Sequence, residues 1–207
     1  MFQRFRWVFL CVILMGCASM ALAQAEFSAD VFDLQKSTSQ PQAKIYFTKD
    51  KMRVEPTGNT KGAGAYIADF AKQTSMVVMA QQHMYMEMPL QSQMQKAGYS
   101  FFEAGDVENA CGDWQKVTRN EGRSCHRIGS DSVNGRSAVK YEATGSNGDV
   151  GHFWLDPKLR FPIKWDGKNG GGELRNIQEG SQPASLFEIP SGYTKFQMPA
   201  GMQMPQR

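Results

Sequence analysis

The sequence predicts a mostly β domain of the α+β class: one large, strongly curved antiparallel sheet with a helix packed on it. Three observations predict it. From residue 26 the chain consists of short β-branched or aromatic runs separated by Gly, Asn, Asp, Lys and Pro, the texture of strands joined by turns. Only residues 91–102 have helical composition. No internal period or dividing linker interrupts the 207 residues, so the runs contribute to a single core of ordinary domain size.

The elements follow in order. Residues 27–34 form a first strand and 36–42 a polar loop. Residues 43–48 and 52–55 alternate around Lys49-Asp50-Lys51 as a hairpin. A flexible tip at 58–64 leads to a short strand at 65–69, then to a second hairpin, 74–80 and 84–88, joined through Gln81, Gln82 and His83. In residues 91–102, Met94, Ala97 and Phe101 stand three and four apart and mark an apolar helical stripe, although Gly98 weakens it. A short strand begins near Val117. The Asn134-Gly135 turn introduces a strand at 137–144, and strands at 151–155 and 162–166 flank Asp156-Pro157-Lys158. Gly170 to Gly172 lack the context of a phosphate loop and read as a flexible turn or bulge before a strand at 173–177. A last strand at 185–189 ends before Pro190, and the Met, Pro and Gln tail, 197–207, is loose.

The first 25 residues carry a targeting signal: a basic start with Arg4 and Arg6, an uncharged run at 7–16, and small residues at 21–25 suited to cleavage after Ala23 or Ala25. Residues 26–196 are then the folded domain. Alternatively, Leu14-Met15-Gly16-Cys17 resembles a lipobox, in which case Cys17 is lipidated and tethers the protein to a membrane. Loss of Arg4 and Arg6 with the leader removes two of the three positive charges of the formal net charge of +3, which leaves no electrostatic footprint for nucleic acid. Cys111 and Cys125 remain, and in an exported chain two cysteines read as one structural disulfide.

Several segments resemble the periplasmic outer-membrane lipoprotein carriers. Phe27-Ser-Ala-Asp, Lys44-Ile-Tyr-Phe and Lys51-Met-Arg-Val-Glu55 are similar to the carriers' opening strands. The run from Val78 to Pro89 is similar to their hairpin and closer to an uncharacterised exported family with a Met-Tyr-Met-Glu-Met-Pro signature. Trp154-Leu-Asp-Pro, Phe161-Pro-Ile-Lys164 and Leu186-Phe-Glu-Ile-Pro-Ser-Gly-Tyr193 resemble the C-terminal half of both groups. The resemblance implies an open, unclosed β-barrel around an apolar hollow, with the helix as a lid on its concave side. It places Arg53 where the carriers have a lid-securing arginine, and it locates the protein in the periplasm of a Gram-negative bacterium.

The residues themselves offer one conspicuous constellation. Met84, Met86 and Met88 alternate with Tyr85 and Glu87, so three thioethers leave one face of a strand. They form an ordinary core face, line a hollow that adapts to apolar ligands, or, with His83, supply soft donors for copper. Their spacing of about 6.6 Å along a strand opposes convergence on one ion. By alternation Ile45, Phe47, Met84, Met86, Phe153 and Leu155 face the hollow, with Met88 and Phe101 beside them; a one-residue slip inverts each assignment. His126 and His152 read as isolated strand residues. No nucleophile-base arrangement or paired catalytic carboxylates present themselves. The expected function is therefore non-enzymatic and without a cofactor: a monomeric periplasmic carrier holding a lipid, an acyl chain or a lipoprotein moiety. The alternatives are a Met-rich copper-binding protein and a protein-interaction or envelope-stress-sensing domain on the same fold.

Overall fold

Turn chemistry organises the chain into hairpins. Asn134 and Gly135 both take positive φ, 50° and 78°, and form a two-residue connection with Val133 opposite Arg136, the geometry that matches the twist of paired strands. His83 closes another hairpin with φ 50° after a 3-10 turn at Ala80–Gln82. The computed structural model describes residues 26–36, 39–58, 64–90, 106–112, 114, 123–145, 147–168 and 170–197. The leader with Cys17, the expected helix at 91–102 with Phe101, the start of a strand near Val117 and the tail beyond 197 lie outside these residues.

Among the described residues twelve strands form one open, curved sheet. They are β1 (Phe27–Asp33), β2 (Ala43–Phe47), β3 (Lys51–Pro56), β4 (Tyr66–Asp69), β5 (Thr74–Met79), β6 (Met84–Pro89), β7 (Ser124–Val133), β8 (Arg136–Thr144), β9 (Val150–Asp156), β10 (Phe161–Gly167), β11 (Gly170–Glu179) and β12 (Thr194–Lys195). Their order is β12-β6-β5-β4-β3-β2-β1-β11-β10-β9-β8-β7, so two meanders meet where β1 pairs antiparallel with β11. The parallel two-residue contact of β12 with β6 ends one edge, and β7 forms the other. Short 3-10 turns occur at Val107–Asn109 and Ala184–Phe187, and the first continues into helical residues at 110–112 and Trp114.

Register fixes which side chains share a face. One row runs Phe27, Phe47, Met52, Ala68, Ser75, Met88, and the next Ala29, Ile45, Val54, Tyr66, Val77, Met86. At the centre of this face the rings of Phe27, Phe47 and Phe161 lie 4.9–5.5 Å apart, burying large apolar surfaces in edge-to-face and stacked contacts. The opposite face of β3–β6 carries Ile67 and Val78 against Phe187, Leu186 and Tyr193. Arg53 secures that covering: its Nη1 donates to the Leu186 carbonyl at 2.7 Å and its Nε to Glu55 at 2.7 Å.

Two expectations are corrected, and one strand was not foreseen. Gly170 to Gly172 are not a turn but the first residues of β11, paired with Gly167, Asp166 and Trp165. Residues 185–189 do not continue the sheet: Pro183 and Pro190 bracket a 3-10 turn there, and proline cannot donate to a ladder. The ten-residue strand β7 had no expected counterpart over 124–133. Its polar sequence SCHRIGSDSV suits an edge where most side chains meet water.

Candidate functional site

At one end of the sheet the face that carries Phe27 and Phe47 opens into a groove of about 700 Å³. Two rows build it. In the first, Trp165, Gly172 and Asp33 line the groove side by side across β10, β11 and β1, while Phe153 and Tyr141 continue the row on β9 and β8 outside the lining; Ala143, Gly151, Gly167 and Gly170 form the row beyond. The glycines make the floor shallow enough for an indole to lie on it. A Cβ at Gly172 would stand 2.5 Å from Cζ2 of Trp165, so only glycine permits the ring to occupy that place. Trp165 forms one wall and Trp114 another, with Val31 and Val150 adding apolar surface and the Phe32 carbonyl lying beside Gly172.

The polar groups at the rim are engaged with one another. Asp33 accepts from the Gln35 backbone N–H at 2.8 Å and from the Gln42 side chain at 2.5 Å, bonds that hold its carboxyl below the usual aspartate range. Asp149 accepts from Lys168 at 2.9 Å and from Asn147 at 2.6 Å. The arrangement offers aromatic and aliphatic surface with a fixed polar border, which suits an amphiphile or another apolar group with one wet end.

Trp114 is positioned by the segment before it. Tyr141, wholly buried and stacked on Phe153 at 5.1 Å, donates its hydroxyl to the Val107 carbonyl and accepts from the Ala110 N–H at 3.3 Å. Burial raises the Tyr141 pKa, so the phenol stays protonated and able to donate. A disulfide joins Cys111 to Cys125 across 14 residues, with Cα atoms 5.4 Å apart. The pairing read from cysteine number is thus present, and it fastens this segment to edge strand β7.

The other sequence-derived residues fall into separate places. Ile45 and Phe47 are buried in the central cluster, and Phe153 and Leu155 in the cluster with Tyr141 and Cys125. None of these four borders the groove. Met84, Met86 and Met88 are half-buried on the same sheet face as Phe47 and Ile45, far along toward the β12 edge. His83 instead meets Tyr193 edge-on at 5.4 Å, and Tyr193 packs on the opposite face with Val78 and Ile67. Arg53 lies on that opposite face, where its bond to Leu186 holds the 3-10 turn at Ala184–Phe187. His126 and His152 are linked in space through Glu142, at 3.5 and 3.3 Å, with Asp166 at 2.7 Å from Nδ1 of His152. Among the described residues no group of three His, Cys, Asp or Glu is arranged to hold a metal ion.

The sequence reading missed Trp114, Trp165 and the glycine floor. Gly170 to Gly172 near Trp165 were the available signal, but their meaning depends on pairing with β10, which composition does not reveal.

No curated protein is detectably similar in sequence. Among solved structures, an uncharacterized conserved protein from Thermus thermophilus is similar at 9% identity and TM-score 0.52, over 84% of this chain and 91% of that one. A chain in the complex structure of Pseudomonas aeruginosa MucA/MucB gives 13% identity and TM-score 0.47, over 80% of this chain and 56% of that one. The LolA superfamily protein NE2245 from Nitrosomonas europaea gives 11% and 0.33, over 80% and 90%. At such identities the likeness concerns fold alone, and of these three the Thermus comparison exceeds a TM-score of 0.5. A family model matches residues 32–160, well over half the chain, and the protein belongs to that family, the domain of unknown function DUF4412.

Proposed function

We propose that this is an exported, non-catalytic binding protein that holds the apolar part of an amphiphile, such as an acyl chain of a lipid or lipoprotein, in the groove between Trp114 and Trp165. The observation that carries this reading is the glycine floor on which Trp165 rests, bordered by polar groups already engaged with one another. Burial of apolar ligand surface contributes roughly 25 cal/mol per Å², offset by the entropy of immobilising the ligand. Export is supported by the leader-like first 25 residues and by the disulfide, which persists in oxidising compartments. Met84, Met86 and Met88 extend the same apolar face, and their unbranched side chains suit a second stretch of chain.

The test is native mass spectrometry of the gently purified protein and of its Trp165→Ala variant. Organic-extractable adducts of several hundred daltons on the wild type, reduced about tenfold in the variant, are expected. A wild-type protein free of adducts that also fails to bind a fluorescent fatty acid would overturn the reading, as would undiminished binding by the variant.

A further inference from the structure

Of the four large hydrophobic side chains exposed among the described residues, three stand at the end of the sheet where the groove opens: Val150 and Trp165, which line it, at 46% and 36% exposure, and Leu34, next to the lining residues Asp33 and Gln35, at 40%. They arrive from three separate places in the chain: just beyond β1, at the start of β9, and in β10. The Leu34 N–H donates to the Gly171 carbonyl at 3.0 Å, which fixes it beside the glycine floor, between Asp33 and Gln35, both of which line the groove. Isolated exposed apolar residues need no explanation, but their concentration around one opening does. Two lysines accompany them. Lys36 and Lys168 are 64% and 69% exposed, whereas their partners Asp33 and Asp149 are 21% and 27% exposed. The carboxylates are withdrawn into the border and the ammonium groups stand outermost.

We propose that this rim is a membrane-docking surface, which sets the open end of the groove on the headgroup region of an anionic bilayer. The proposal rests on the amphiphile-binding reading of the same groove and adds where its ligand enters. The charge arrangement favours a lipid surface: outward ammonium groups meet acidic headgroups, while Leu34, Val150 and the Trp165 indole reach the interfacial layer that aromatic side chains favour. Once seated, the groove opens directly onto lipid, so an acyl chain transfers without crossing water.

The experiment is co-sedimentation of the purified protein with large vesicles of phosphatidylethanolamine and phosphatidylglycerol, compared with vesicles of phosphatidylcholine. Wild type is expected to prefer the anionic vesicles. The variant Leu34→Ser, which leaves every residue of the groove lining untouched, is expected to lose at least tenfold in vesicle affinity while keeping its adducts in native mass spectrometry. Lys36→Gln/Lys168→Gln is expected to abolish the preference for anionic vesicles. Unchanged vesicle binding by both variants overturns the docking proposal, and so does a wild-type dimer that Leu34→Ser dissociates, because the surface is then a self-interface. Loss of vesicle binding together with an adduct-free wild type supports docking and overturns only the groove reading.

Discussion

Gly172 illustrates how one absent side chain shapes a surface. A methyl group there meets the Trp165 ring on one side and the Phe32 carbonyl, at 3.1 Å, on the other. Gly172→Ala should displace the indole, destabilise the protein by about 1–3 kcal/mol through overpacking, and weaken ligand retention; urea unfolding together with native mass spectrometry reads both effects. A second prediction concerns Glu179, bound by Lys158 at 2.5 Å and by Arg136 at 2.9 Å. The hydrogen bond from Lys158, reinforced by Arg136, lowers its pKa in the folded state. Its stabilising contribution is therefore complete above the ordinary glutamate value of 4.5 and is lost as pH falls through the depressed folded value. The urea midpoint should decline less between pH 5 and pH 3 in Glu179→Gln than in wild type, and parallel declines would remove Glu179 from the acid response. At this scale the sequence was informative about kind but not place. Alternation assigned Phe47 and Leu155 to a hollow-facing side, and they are buried in two separate clusters away from the groove, whereas the contact of Trp165 with Gly172 joins two strands whose register no local pattern encodes.

The segment at 107–112 is an element held from outside. Three helical turns' worth of propensity would be needed for it to stand alone, and it has far less, so its position depends on Tyr141 and the disulfide. Replacing Cys111 and Cys125 with Ser should cost about 3 kcal/mol in the chain-entropy model. That corresponds to a Tm lowered by roughly 6–12 °C for a domain of this size, and calorimetry with and without reductant should give the same loss in the wild type. Because Trp114 follows this segment, ligand retention should fall in parallel; full retention at the lower Tm would separate the staple from the groove. The hairpins were the legible elements: β2–β3, β5–β6 and β9–β10 all stand where alternation and turn residues place them. Strand β7 was not legible, since an edge strand facing water lacks the apolar alternation by which strands are recognised. The turn at Ala184–Phe187 carries Leu186 and Phe187 for burial against β3–β6, a pattern that mimics a strand.

Across the whole molecule the decisive pairing is β1 with β11, which joins the two meanders into one sheet and places the aromatic cluster at the junction. Stability is distributed accordingly. Amide exchange should be slowest in β1 and its neighbours β2 and β11, and fastest in β12 and along the outer side of β7; mass-resolved exchange tests this, and a fast β1 would contradict it. The open sheet was legible as a class because short alternating runs leave few other architectures. The strand order was not, because β1 precedes β11 by most of the chain and no local signal links them.

That order constrains how the chain folds during synthesis or translocation. Phe27–Asp33 is the first strand to emerge, yet one of its partners, Gly170–Glu179, is among the last. Until β11 appears, one edge of β1 is unpaired and the rings of Phe27 and Phe47 lack Phe161 and Leu174. The nascent N-terminal meander thus presents an apolar face and an open backbone edge throughout the passage of more than 100 residues. A holding chaperone acting over that interval is the natural complement to such vectorial delay.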